Sequence, residues 1–160
     1  MTTARTRDSN TGEIADALLA MARVMTQVRV HETLCKRAGV ELDRGGSALL
    51  YKLYTDGENI RITELAERLG IDPPGVTRKV QQLERMGLLC RAVDPDDARA
   101  SRLRLTKEGR TSIERLLRAR ESWLEGMLGG WPRRDQKEFG RLLKLFASTI
   151  AEEIEGRHGH

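Results

Sequence analysis

Apolar residues return at three- and four-residue steps along most of this 160-residue chain and switch to strict alternation only at Ser101–Leu105. The first stretch places Ile14, Leu18, Met21, Met25 and Val28 on one stripe, which predicts a single amphipathic helix from Gly12 to about Cys35. A second helix opens at Asp43, a good N-cap, and ends near Asp56-Gly57. Its Gly45-Gly46 pair would cost about 1 kcal/mol per Gly in a helix interior. In a first turn the cost is smaller, and close packing is the expected reason for the pair. Ile62–Ile71 forms a short helix in which Thr63 is expected to cap, Glu64 meets the positive end of the dipole and Gly70 closes in the left-handed conformation. Asp72 then caps the next helix at once, with Pro73 at N1. After the alternating segment, Thr106 is expected to cap a long helix bearing Ile113, Leu116, Leu117, Trp123, Leu124, Met127 and Leu128. Gly129-Gly130 breaks it, and a last helix from about Pro132 carries Phe139, Leu142, Leu143, Phe146, Ile150 and Ile154.

Two helices joined by so short a turn fit a helix-turn-helix, whose second helix enters the major groove of DNA. In that second helix Val76, Val80, Leu83 and Met86 are expected to face the core. Pro74, Gly75, Thr77, Arg78, Gln81, Gln82 and Arg85 then fall mostly on the outward side. Arg pairs with guanine or phosphate, Gln with adenine, and Thr with phosphate or a thymine methyl. Gly87 ends the helix. Leu88–Val93, a polar turn at Asp94–Ala100 and Ser101–Leu105 then form a hairpin, with Leu103 and Leu105 inward and Arg102 and Arg104 outward. A hairpin placed directly after a helix-turn-helix is a wing, and arginine near its tip suits the minor groove.

The run Gly75-Val76-Thr77-Arg78 through Leu83-Glu84-Arg85-Met86-Gly87-Leu88, followed by Asp94-Pro95-Asp96-Asp97-Ala98-Arg99 and Leu105-Thr106-Lys107-Glu108-Gly109, resembles the MarR family of bacterial transcription regulators. The resemblance is specific from about Ile62 to Gly109 and extends in element order over nearly the whole chain. It implies a homodimeric winged helix-turn-helix protein, usually a repressor, often released by a small ligand or an oxidant. It also implies that Arg99 is the wing arginine and Asp97 the acid that holds it. Gly75 replaces the common Ser or Thr, and Pro73-Pro74 replaces a Ser-rich turn, so backbone N–H groups must carry more of any phosphate contact there. Effectors in this family often bind between the dimer helices and the DNA-binding lobe, which brings in His31, Arg44, Tyr51 and Tyr54.

Charge agrees with this reading. The net formal charge is +4, and between Pro73 and Arg104 seven basic side chains face four acidic ones. A basic stripe raises affinity for phosphates and makes binding salt-dependent. No apolar run approaches the roughly 18 residues of a membrane span. No signal-peptide pattern is present, and residues 1–11 are expected to form a polar arm in which Arg5 and Arg7 are solvated. A cytoplasmic, nucleoid-associated protein follows, without membrane contact.

Catalytic chemistry finds little support. The three histidines, His31, His158 and His160, show no metal-ligand spacing, and no phosphate loop or nucleophile elbow occurs, so no metal or cofactor is expected. Cys35 and Cys90 leave a redox alternative open; Lys36 and Arg37 beside Cys35 would favour its thiolate. A winged-helix module for protein contacts is the other alternative. The expected architecture is mainly α with a small β-hairpin wing. It comprises an arm at 1–11, a dimerisation helix at 12–38, a winged helix-turn-helix lobe at 43–105 and C-terminal helices at 106–156 that complete the dimerisation region.

Overall fold

The computed structural model describes residues 10–94 and 101–156. Among these residues the order is α1 (Asn10–Met25), α2 (Val28–Ala38), α3 (Arg44–Asp56), β1 (Ile60–Arg61), α4 (Ile62–Leu69), α5 (Pro73–Arg85), β2 (Leu89–Val93), β3 (Ser101–Leu105), α6 (Lys107–Leu128) and α7 (Arg133–Gly156). The chain divides into two compact units, one through Arg120 and one from Glu121.

In the first unit the core is built from Leu49, Leu50 and Leu53 of α3, Leu65 of α4, Val76, Val80 and Leu83 of α5, Leu103 of β3, and Ile113 and Leu116 of α6. The hairpin is antiparallel, with Leu89 opposite Leu105 and Arg91 opposite Leu103. Leu103 and Leu105 are buried, as the alternation predicts. β1, which the sequence pattern does not announce, adds to the other edge of β3 in the order β1-β3-β2, with Ile60 opposite Leu103. Two residues are too few for a periodic signal, and only pairing makes them a strand.

Three expectations change. The first helix is two: α1 stops at Met25, and Gln27 is extended (φ −64°, ψ 134°) as the residue before α2. Thr26 Oγ1 donates back to the Ala22 carbonyl at 2.7 Å, a bond that competes with continued helix. Thr63 does not cap α4, whose N-cap lies two residues earlier at extended Arg61, without a side-chain cap. Met86 is exposed rather than buried, because it is the C-cap and the chain turns away at Gly87 (φ 71°).

The end of α5, the wing and α6 meet in a tight clasp. Thr106 Oγ1 donates to the Gly87 carbonyl at 2.6 Å and accepts the Gly109 N–H at 3.0 Å, so it caps α6 as its sequence position predicts. Thr106 N–H in turn donates to the Leu88 carbonyl at 3.1 Å. α6 can approach Leu88 this closely only because residue 109 has no side chain.

The second unit contains the end of α6, the Gly129-Gly130 break and α7. Gln136 closes the break by donating to the carbonyls of Leu128 and Trp131. Trp131 packs at a tilt on Phe139, with centroids 5.6 Å apart. Phe139, Leu142, Leu143, Phe146, Ile150 and Ile154 form an exposed stripe along α7, and in the first unit Ile14, Leu19, Met21, Val24 and Met25 are likewise exposed on α1.

Candidate nucleic-acid interface

α4 and α5 are joined by Gly70 (φ 64°), Ile71 and Asp72. The Asp72 side chain accepts the Gly75 N–H at 2.8 Å, and Pro73 occupies the first turn, where its missing N–H costs no bond. Burial of Val76, Val80 and Leu83 sets the rotation of α5 and leaves Pro74, Arg78, Gln81, Gln82 and Arg85 exposed, with Gly75 and Thr77 half-buried. These side chains do not have equal freedom. Thr77 Oγ1 is turned back on the Pro73 carbonyl at 2.9 Å, and Arg85 Nε donates to the Gln81 carbonyl at 3.2 Å. Gln82 Oε1 accepts from Lys79 Nζ at 2.8 Å. Arg78 and the Gln81 amide are left pointing outward with no partner among the described residues.

Lys79 also reaches across to the carboxylate of Asp43, the N-cap of α3. Asp43 thus holds the Gly46 N–H at 2.7 Å with one oxygen and the reading helix with the other. Gly45 makes room for this latch, since a Cβ there would stand 3.3 Å from Lys79 Cε; at Gly46 a Cβ would meet Asp43 Oδ1 at 3.1 Å. The glycine pair therefore serves packing. Burial pushes the Asp43 carboxyl up, but the hydrogen bonds from Lys79 and Gly46 and the neighbouring positive charge outweigh it, leaving it below its ordinary 3.8. A carboxylate whose folded pKa is depressed contributes stability above its unfolded pKa, and that stability is lost as pH falls through the folded value. Asp43→Asn keeps the cap and removes the charge. Thermal unfolding of this variant should therefore fall below wild type at pH 7 and converge with it below pH 3.8. Parallel curves at all pH values would show that the latch contributes nothing.

At the base of the wing, Asp94 is buried with a side-chain exposure of 0%. Its Oδ2 meets Arg61 Nε of β1 at 2.6 Å and Arg102 Nε of β3 at 3.0 Å. Arg102 also donates to the Asn59 carbonyl at 3.1 Å. Arg102 is thus drawn into the sheet edge instead of facing outward, because a buried carboxylate needs cations; Arg104 is exposed as expected. Asp97 and Arg99 lie outside the described residues.

A cleft of about 290 Å³ in the first unit brings together His31, Arg44 and Tyr51 with Met25, Ser47 and Arg120. Arg44 Nη1 donates to the Thr26 carbonyl at 2.5 Å, beside the α1–α2 break. Tyr54 is not in this lining; it lies under Arg110, whose guanidinium carbon is 5.6 Å from the ring centroid. His31 Nε2 is 2.9 Å from the Leu42 carbonyl, which can only accept, so that nitrogen carries a proton. Cys35 Sγ lies 3.3 Å from the same nitrogen and 3.4 Å from the same carbonyl. Burial pushes the Cys35 thiol up, against smaller opposing effects from Leu42 and Ser47. This reverses the expectation of a favoured thiolate beside Lys36 and Arg37, because desolvation penalises the charged form. Cys90 is exposed on β2 opposite Arg104.

The packed helices α3, α4 and α5 with a sheet-borne wing define a winged helix-turn-helix protein. The MarR family model matches residues 47–101. The uncharacterized HTH-type transcriptional regulator YxaD of Bacillus subtilis is 34% identical over 109 residues, covering 68% of this chain and 75% of its own length. A MarR family protein from Bacillus stearothermophilus is 19% identical with TM-score 0.76, over 89% of this chain and 99% of that one. A MepR mutant from S. aureus, solved bound to an oligodeoxyribonucleotide, is 17% identical with TM-score 0.60, over 85% and 97%. The chain belongs to the MarR family. It is a transcriptional regulator and not an enzyme.

Proposed function

We propose that this regulator is a homodimeric repressor that binds a palindromic operator in double-stranded DNA through α5 and the wing. The observation that carries the reading is the free outward pair Arg78 and Gln81 on a helix fixed at its start by Asp72 and along its side by Asp43–Lys79. Arg78 and Gln81 contact base edges, with Thr77, Gln82, Arg85 and the Pro74-Gly75 backbone supporting phosphate contacts. Arg99, held by Asp97, is the wing contact. The oligodeoxyribonucleotide bound by MepR supports the DNA-binding reading. Exposed apolar stripes on α1 and α7 support two-fold pairing, since such faces need a partner. Pairing would set the two reading helices about one DNA turn apart, roughly 34 Å. A small effector in the His31–Arg44–Tyr51 cleft would release the operator. Among the described residues no helix is long and apolar enough to cross a membrane, in keeping with a cytoplasmic, nucleoid-bound protein.

The test is a gel-shift titration against DNA tiled across the region upstream of the gene, at two salt concentrations. A single dimer-sized shift surviving moderate salt is expected. Binding that is weak at every tile and vanishes with salt would refute operator recognition in that region. Arg78→Ala and Gln81→Ala should change the ranking of operator variants by about 1–3 kcal/mol per base contact. A uniform loss across sequences would make them phosphate contacts. Arg99→Ala should weaken binding with the fold intact, and unchanged affinity at matched salt would remove the wing arginine from the interface.

A further inference from the structure

α7 carries a second basic surface that the reading helix does not use. Arg133, Arg134, Lys137 and Arg141, together with Glu138, surround a shallow depression along its first nine residues, and Lys144 continues the row. All are exposed. Arg141 is engaged by Glu138 at 2.8 and 3.0 Å, whereas Arg133, Arg134 and Lys137 have no partner among the described residues. At about 100° per residue this row lies on the face roughly opposite Phe139, Leu142, Leu143 and Phe146. It therefore stays open when the apolar stripe is covered.

Helix stability does not explain these charges. Cations at a helix N-terminus oppose the macrodipole, and only Asp135 in the first turn works with it. A protein partner fits poorly, because a protein interface needs an apolar centre and the depression is lined by Arg133, Arg134, Lys137, Arg141 and Glu138, with exposed Leu145 only beyond its margin. A polyanion fits well. Successive turns set the cations about 5.4 Å apart along the helix, comparable to successive phosphates on a strand, and guanidinium forks match phosphate oxygens. We propose that the outward face at the start of α7 is a second, sequence-independent contact for the phosphate backbone of duplex DNA.

The test uses the full chain and a triple variant, Arg133→Gln, Arg134→Gln and Lys137→Gln, chosen because glutamine is a good helix former. Both are titrated with a random-sequence duplex over a range of salt. Each lost phosphate contact should flatten the slope of log K against log salt by about 0.9, so the triple variant should lose up to about 2.7 per protomer. Its preference for one duplex sequence over another should not change, because the loss is uniform. An unchanged slope with helix content retained would overturn the proposal. So would poly-glutamate binding that disappears in the variant while the DNA slope stays the same, since the surface would then serve an acidic protein segment. Random DNA needs no operator, so this result is readable even if operator recognition by α5 fails.

Discussion

Gly109→Ala should be the most damaging single methyl group that can be added to this protein. A Cβ at this position would stand 2.0 Å from the Leu88 carbonyl oxygen and 2.9 Å from its carbon. Both are backbone atoms, so no rotamer change relieves the overlap. α6 would have to back away from Leu88, breaking the Thr106 N–H bond to Leu88 and loosening the Thr106 bonds to Gly87 and Gly109. Overpacking of a well-packed site costs about 1–3 kcal/mol, and here lost hydrogen bonds add about 1 kcal/mol each. We expect a loss of about 3 kcal/mol, or a fall in Tm of roughly 6–12 °C for a chain of this length, compared at equal protein concentration. Gly126→Ala is the control, in the same helix with nothing within 4 Å of the added carbon. It should stabilise by up to about 1 kcal/mol through helix propensity alone. Equal effects at the two glycines would show that α6 does not press on Leu88. The clasp joins the end of the reading helix to α6, so Gly109→Ala should also weaken DNA binding.

The legibility of this chain follows the range over which each force acts. Caps, turns and buried stripes depend on residues within about four positions, and there the sequence reads well. Asp43, Asp72 and Thr106 all cap where their types and spacing indicate, Gly70 and Gly87 take positive φ, and Val76, Val80 and Leu83 are buried. The errors come where a local preference meets a competing one. Thr63 has the chemistry of a cap but stands one residue inside α4, and the stripe through Met25 and Val28 continues across a backbone break that Thr26 makes. What sequence pattern does not reach is pairing at a distance. Lys79 and Asp43 are 36 positions apart, and Arg61 and Asp94 are 33 apart. Gln82 looks as available to DNA as Gln81 on a helical wheel until Lys79, itself held by Asp43, donates to its side-chain oxygen. Tyr54 looks like a companion of Tyr51 until Arg110 covers it, and the Cys35 thiol looks activated by its basic neighbours until burial outweighs them.

Asp94→Asn should separate the wing from the helix-turn-helix without unfolding the protein. The carboxylate is the shared partner of Arg61, next to α4, and Arg102, in the inner strand of the hairpin. Removing one member of a buried ion pair costs about 3–5 kcal/mol when the remaining charge is stranded. Arg61 and Arg102 keep side-chain exposures of 43% and 28%, so water can take over part of their solvation, and about 2 kcal/mol is the expected loss. The neutral amide also leaves two guanidiniums facing each other, which pushes β1 and β3 apart at Arg61–Arg102. Amide exchange should therefore rise at Asn59, Ile60 and Leu103 while the α3 and α5 cores keep their protection. Operator affinity should fall at least about tenfold, equivalent to 1.4 kcal/mol, because the wing base no longer fixes where the hairpin reaches. Arg61→Gln in the Asp94→Asn background should add little, since the two residues act as one unit and their effects are not additive. Full additivity, or unchanged exchange along β1 and β3, would mean that Asp94 balances local charge but does not hold the wing in place.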